Sequence, residues 1–146
     1  MGKYFEEFEI GEEVATPGRT ITETDIVNFA GLTGDWYELH TNKEWAAKSP
    51  FGQRIAHGAL IFSIATGLTM RMDTGDKTII AFYGVDRLRF VKPTFIGDTI
   101  RLRQRVEEKT ERDAGSGIVT MLNEVINQRE EVALSYMAKV LIKRRA

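Results

Sequence analysis

The chain has 146 residues with 20 basic and 21 acidic side chains. It is long enough for one domain, residues 1–146, with its own apolar core, and too balanced in charge for a general nucleic-acid or membrane-surface binder. It contains no cysteine and only two histidines, which excludes a disulfide framework, a thiolate nucleophile and cysteine-ligated zinc or iron–sulfur sites. The charge is uneven, with 4 basic against 10 acidic side chains in residues 1–50 and 16 against 11 thereafter. That division suits two mutually attracting faces, or a basic rim for a phosphate-bearing ligand.

Residues 1–8 are acidic and alternating, without the basic-then-apolar order of a secretory signal, so a cytoplasmic protein is expected. Residues 21–31 read as a short helix: Thr22 suits the N-cap, acidic residues fill the first turn, Ile26, Phe29 and Ala30 form an apolar stripe, and Gly31 can stop it. Asn42 can cap another helical turn over 43–47, which leaves His40 in a loop between two caps. From Ile55 to Met70 nearly every face is apolar or small, predicting a buried central helix too short for a membrane span. Its small residues, Gly58, Ala59, Ser63, Ala65 and Gly67, leave room for another backbone or a ligand to approach.

After residues 73–77 the texture changes to strands. Two are expected at 78–83 and 85–91, the second with Leu88 and Phe90 on one face and Arg87 and Arg89 on the other. A turn at 95–98 leads into 99–106, whose apolar face of Ile100, Leu102 and Val106 is interrupted by Gln104. A hairpin signal at 113–117 then precedes strands at 118–127 and 132–142, which meet around 129–131. Several long antiparallel strands and one buried helix describe an α+β domain in which a curved sheet wraps the helix.

Asp35 and His40 are the candidates for chemistry, because a carboxylate beside an imidazole can move protons on and off water near neutral pH. On one continuous helix, five steps of roughly 100° would hold them about 140° apart. A non-helical segment must therefore bring them together.

At these residues the chain resembles the MaoC-like, (R)-specific enoyl-CoA hydratase family of the hot-dog fold. The family pattern is an aromatic followed by Ser/Thr-Gly-Asp-x-Asn-Pro-Leu-His-x-Asp/Asn, matched here at Phe29, Thr33, Gly34, Asp35, Leu39, His40 and Asn42. Ala56-His57-Gly58 before the buried helix, Arg89-Phe90-Val91-Lys92-Pro93 and Gly97-Asp98-Thr99 are similar to the same family. The resemblance implies a single hot-dog domain and reversible addition of water to a trans-2-enoyl thioester of coenzyme A, giving the (R)-3-hydroxyacyl thioester. It implies that Asp35 and His40 hold the water and that the Gly58 N–H binds the thioester oxygen. A helix N-terminus favours such charge independently of any resemblance. It also implies that Thr66 faces the catalytic carboxylate, where a hydroxyl satisfied by its own helix carbonyl is the alternative. His57 is expected to fix the helix start rather than donate a proton. Neither metal nor redox cofactor is implied, since coenzyme A belongs to the substrate, and relatives pair subunits as homodimers or dimers of dimers.

The departure from the family lies at Tyr37-Glu38, where Asn-Pro is usual. Tyr37 can replace the asparagine's hydrogen bond or fill part of a pocket for a shorter or differently shaped acyl chain, a branched or carboxylated one included. Loss of proline relaxes the loop, and Glu38 reads as a solvated residue. Arg87, Arg89 and Lys92 suit coenzyme A phosphates or a solvated strand face. A hot-dog thioesterase is an alternative, although no Asp or Glu occurs between Glu44 and Asp73, where such enzymes commonly carry one. A non-catalytic acyl-CoA-binding subunit is another.

Overall fold

Helix α1 (Glu23–Thr33) starts where its capping residues require. Thr22 accepts a hydrogen bond from the Asp25 N–H and the Asp25 carboxylate accepts one from the Thr22 N–H, so two amides without intrahelical partners are satisfied. In the computed structural model, which describes residues 2–72 and 77–146, α1 runs through Gly31, the expected stop, and ends at Gly34. There φ is 78° and the Gly34 N–H donates to the Ala30 carbonyl at 2.8 Å. Within a helix a glycine is tolerated at about 1 kcal/mol relative to alanine. The left-handed turn is what needs one.

Helix α2 (Glu38–Thr41) is a single turn that carries His40, so His40 is not in a loop as expected. Local hydrogen bonds hold this turn: the Thr41 hydroxyl donates to the Trp36 carbonyl at 2.9 Å, and the Asn42 N–H donates to the Glu38 carbonyl at 2.8 Å. Helix α3 (Lys43–Ala47) begins at Asn42, whose side-chain oxygen accepts from the Trp45 N–H as predicted.

Helix α4 (Gly58–Thr69) is the central helix. It lies in a curved antiparallel sheet made of β3 (Ile79–Phe90), β4 (Thr99–Glu111), β5 (Ser116–Ile126) and β6 (Val132–Lys143), with the short strands β1 (Glu13–Ala15) and β2 (Arg19–Thr20) both on β4. This is the expected α+β hot-dog architecture. The strand order β1-β4-β5-β6-β3 leaves β3 at an edge. The two strands expected at 78–83 and 85–91 are one strand, β3. Gly84 falls at a shift of its register against β6, and another shift surrounds Arg87, whose φ is 54°. Such bulges bend a strand without ending it. The expected change from helix to strand over 73–77 lies, except for Lys77, outside the described residues.

Leu60, Ile61, Ala65 and Leu68 bury one face of α4 against Leu102, Val125, Leu134 and Ala138 of the sheet. The opposite stripe, Ala59, Ser63 and Gly67, is exposed, so the helix is not buried all round in the single chain. A sheet curved to one side covers one face only. Phe5 and Phe8, in and beside a 3₁₀ turn at Phe5–Glu7, close a second, smaller cluster with Val106, Val119, Met121, Val140 and Ile142.

One polar row crosses the inner face of the sheet. Gln104, Asn123 and Tyr136 are directly opposed on β4, β5 and β6, and all three are buried. Gln104 Nε2 donates to Asn123 Oδ1 at 3.0 Å, whereas the Tyr136 hydroxyl has no hydrogen-bond partner among the described residues. A buried hydroxyl left unsatisfied costs about 1–3 kcal/mol.

The helix end at Gly34 is open to a direct comparison. Gly31→Ala, whose new Cβ would meet only Trp36 at 3.9 Å, should stabilise the chain by about 0.5–1 kcal/mol in urea unfolding, and Gly34→Ala should destabilise it by about 1 kcal/mol or more. The reverse order would return the helix end to Gly31.

Candidate active site

The segment between α1 and α2 is pinned at each step. The Thr33 hydroxyl donates to the Phe29 carbonyl and accepts from the Asp35 N–H, and one Asp35 carboxylate oxygen accepts from the Tyr37 N–H at 3.3 Å. Asp35 itself is exposed, and His40 is buried. Four residues of non-helical chain, 34–37, and one short turn bring them together: an Asp35 oxygen, a His40 ring nitrogen and a His57 ring nitrogen lie within 4.8 Å of one another.

The two imidazoles have defined tautomers. His40 Nδ1 lies 2.8 Å from the Ile55 carbonyl, and His57 Nε2 lies 2.9 Å from the Asp35 carbonyl. A carbonyl only accepts, so each of these nitrogens carries the proton. His40 Nε2 is left as an acceptor, and so is His57 Nδ1, which is buried without a partner among the described residues. The rings stack at 3.9 Å with 28° between their planes.

Burial pushes the His40 imidazole below its ordinary value. The Ile55 carbonyl opposes this, His57 adds to it, and Asp35 opposes it. His40 is therefore held neutral at physiological pH. His57 sits at the N-cap of α4, stacks on His40 and holds the Asp35 backbone, so it joins the loop to the helix. It has the helix-start position that its place before Gly58 implied. Its link to the Asp35 carbonyl, like that of His40 to Ile55, runs to a backbone atom and leaves no trace in residue identity.

Gly58 opens α4, and the first intrahelical bond at this end is from the Ile61 N–H to the His57 carbonyl at 3.2 Å. Amides ahead of Ile61 have no intrahelical acceptor. A Cβ on Gly58 would come within 2.5 Å of the Phe90 ring, so glycine is what lets β3 close against the helix start. Gly58 and His40 both line a cavity of about 500 Å³ that includes Phe51, Phe90, Lys92 and Leu134 in its wall.

The other candidates divide. Tyr37 lies edge-on to His40 at 5.7 Å and to Trp45 at 5.5 Å, supporting the imidazole from outside. Thr66 does not share the cavity of His40 and Gly58. Its hydroxyl donates to the Ser63 carbonyl at 2.6 Å, within its own helix, and it lines a second cavity of about 260 Å³. Lys92 is at the rim of the first cavity, paired with Glu131 at 2.5 Å. Arg89 donates to the Leu88 carbonyl, and Arg87 lines a separate surface groove beside Asp86, Glu107 and Glu108. Among the described residues no helix is long and apolar enough to cross a membrane.

The MaoC like domain family model matches residues 6–128. Protein MaoC of Klebsiella aerogenes is 48% identical over 108 residues, covering 74% of this chain and 32% of its own length. The 3-hydroxybutyryl-CoA dehydratase of Methylorubrum extorquens is 33% identical over 106 residues, covering 72% of this chain and 64% of its own. This chain thus spans less than two thirds of either relative. A crystal structure of a monoamine oxidase regulatory protein from Archaeoglobus fulgidus superposes with a TM-score of 0.93 at 44% identity, covering 99% of this chain and 97% of the other.

The His40 environment sets a pH dependence. In the unfolded chain the ring takes up a proton near 6.5, and in the folded chain only at lower pH. Between those values the unfolded state holds more protons, so this contribution to stability is complete above about 6.5 and is lost as pH falls through the folded value. Urea unfolding between about pH 5 and 8 should show stability rising with pH up to about 6.5 and levelling above it, with a smaller rise in His40→Gln. An equal slope in both proteins would contradict the burial of a neutral ring.

Proposed function

We propose that this chain, which belongs to the MaoC-like domain family, is a hydro-lyase that adds water reversibly to a trans-2-enoyl-CoA to give the (R)-3-hydroxyacyl-CoA. The observation that carries this reading is the pairing of Asp35 with an unprotonated His40 beside the cavity that the start of α4 faces. A carboxylate oxygen and His40 Nε2 are both acceptors, so they do not bond each other directly. An Asp35 oxygen and a His40 ring nitrogen lie within 4.8 Å, a span that one water donating a proton to each would bridge. Its lone pairs then point away from both.

With the enoyl thioester in the 500 Å³ cavity, the Gly58 N–H receives the thioester oxygen. One member of the pair takes a proton as the water oxygen bonds to the β-carbon. The double-bond electrons move to the α-carbon and the thioester oxygen, where the helix start stabilises the enolate. A proton then passes from the pair to the α-carbon on the same face. His57 is a positioning residue that holds Asp35 and His40, and Tyr37 supports the His40 ring. Lys92 at the rim suits a coenzyme A phosphate.

We further propose a homodimer. The exposed Ala59, Ser63 and Gly67 stripe and the edge strand β3, with Phe82 and Tyr83 more than half exposed, are surfaces that a second copy would cover. A hot-dog thioesterase is disfavoured by the lack of any Asp or Glu between Glu44 and Asp73.

Incubation with a panel of trans-2-enoyl-CoA esters should show loss of the conjugated double bond without release of free thiol. Asp35→Asn and His40→Ala should each lower kcat by about 10²- to 10⁴-fold. Thiol release would instead identify a thioesterase, and binding without turnover an acyl-CoA-binding subunit. Light scattering should give twice the 16.5 kDa chain mass.

A further inference from the structure

The second cavity, about 260 Å³, lies between the C-terminal half of α4 and the sheet. Its wall is apolar at Met70, Phe82, Met121 and Ala138, yet it also includes Gln104, Asn123 and Tyr136. That is the polar row opposed across three strands. Two donors and acceptors of the row are spent on each other, Gln104 Nε2 on Asn123 Oδ1. What remains is the Gln104 carbonyl oxygen and second amide hydrogen, the Asn123 amide hydrogens and the buried Tyr136 hydroxyl, which is close enough to feel the Asn123 amide but makes no well-formed hydrogen bond among the described residues. A domain core closes with apolar residues at such positions, as at the flanking pair Leu102 and Val125. An unmatched polar row in a cavity calls for a partner with matching groups.

The two cavities follow one another along the same two elements. The wall of the first includes Leu134 of β6 and Gly58 of α4, and that of the second Tyr136 and Thr66. Leu134 and Tyr136 are separated by about 6.6 Å of strand, and Gly58 and Thr66 by about 12 Å of helix. Phe62, between Gly58 and Thr66 on α4, stacks on the Tyr136 ring at 5.0 Å. An acyl chain that ran from the thioester at Gly58 along α4 to this row would span on the order of 12 Å.

We propose that Gln104, Asn123 and Tyr136 select an acyl chain bearing a neutral hydrogen-bonding oxygen, a hydroxyl or a carbonyl, near its far end. The inference rests on the reading of the first cavity as an acyl thioester site. A carboxylate is disfavoured because no Lys or Arg lines the second cavity among the described residues. A methyl terminus would leave the row unmatched, whereas a hydroxyl can donate to the Gln104 oxygen and accept from Asn123 or Tyr136.

Two measurements separate this inference from the hydratase reading. The first compares kcat/KM for medium-chain trans-2-enoyl-CoAs that differ only in ending in methyl, hydroxyl or carboxylate. The second compares, by calorimetry, binding of the corresponding saturated acyl-CoAs, which does not depend on turnover. The hydroxyl-ended chain should be preferred over both others by about tenfold or more in each measurement. Tyr136→Phe and, separately, Gln104→Leu should reduce the hydroxyl-to-methyl ratio several-fold. The ratio in the unaltered protein stands as a test even if a variant fails to fold. Absence of turnover with the hydroxyl preference kept in binding would remove the hydratase reading and leave the specificity in place. Equal or tighter binding of the methyl-ended chain would overturn the specificity whatever the reaction, and so would preference for the carboxylate.

Discussion

Leu60, Ile61, Ala65 and Leu68 seat one face of α4 on the inner side of the sheet, and that contact sets where the helix begins. Its first residue, Gly58, then faces the cavity with amides that have no acceptor in the helix, while His57, one residue earlier, reaches across to the Asp35 carbonyl and stacks on His40. The apolar contact thus does more than stabilise the fold. It sets the spacing between a helix start suited to negative charge and a pair of groups suited to holding water. The close packing of Phe90 on Gly58 makes glycine a requirement there twice, for the approach of β3 and for access to the amide.

The chemistry of the pair depends on what each nitrogen is already doing. Had His40 Nδ1 been free, the ring could present either tautomer. The Ile55 carbonyl removes that choice and leaves Nε2 basic, and burial keeps the ring unprotonated. The neighbouring carboxylate pulls in the opposite direction, favouring the imidazolium, but is the smallest of the four influences. Two acceptors therefore lie close together, an arrangement that a donor such as water between them would satisfy.

The same sheet that supplies the core also carries an unmatched polar row. Placing Gln104, Asn123 and Tyr136 opposite one another lets each strand contribute one polar group without breaking a ladder. Stability would favour apolar residues at all three positions. They line a cavity rather than a close-packed interior, which leaves their polar groups within reach of a bound molecule.

The capping residues Thr22 and Asn42, the presence of a central helix, the long strands from 99 onward and the closeness of Asp35 to His40 were legible in the sequence, because each depends on local periodicity or on residue types at a short spacing; the central helix is shorter than the expected 55–70, running from Gly58 to Thr69. Gln104 was visible there only as an interruption of an apolar face. Short and bent features were not legible. Four residues of α2 carry no periodicity, two- and three-residue strands carry none either, and a bulge such as that near Arg87 is decided by pairing with β6. Gly31 and Gly34 are locally equivalent as helix stops, and only the route of the chain towards His40 chooses between them. The sequence by itself determined which residues could hold water and charge. Tertiary structure alone decided which nitrogen of each histidine is free, that Thr66 lines a different cavity from His40, and that Gln104 meets Asn123 and Tyr136, because those outcomes depend on carbonyls and side chains brought together from distant parts of the chain.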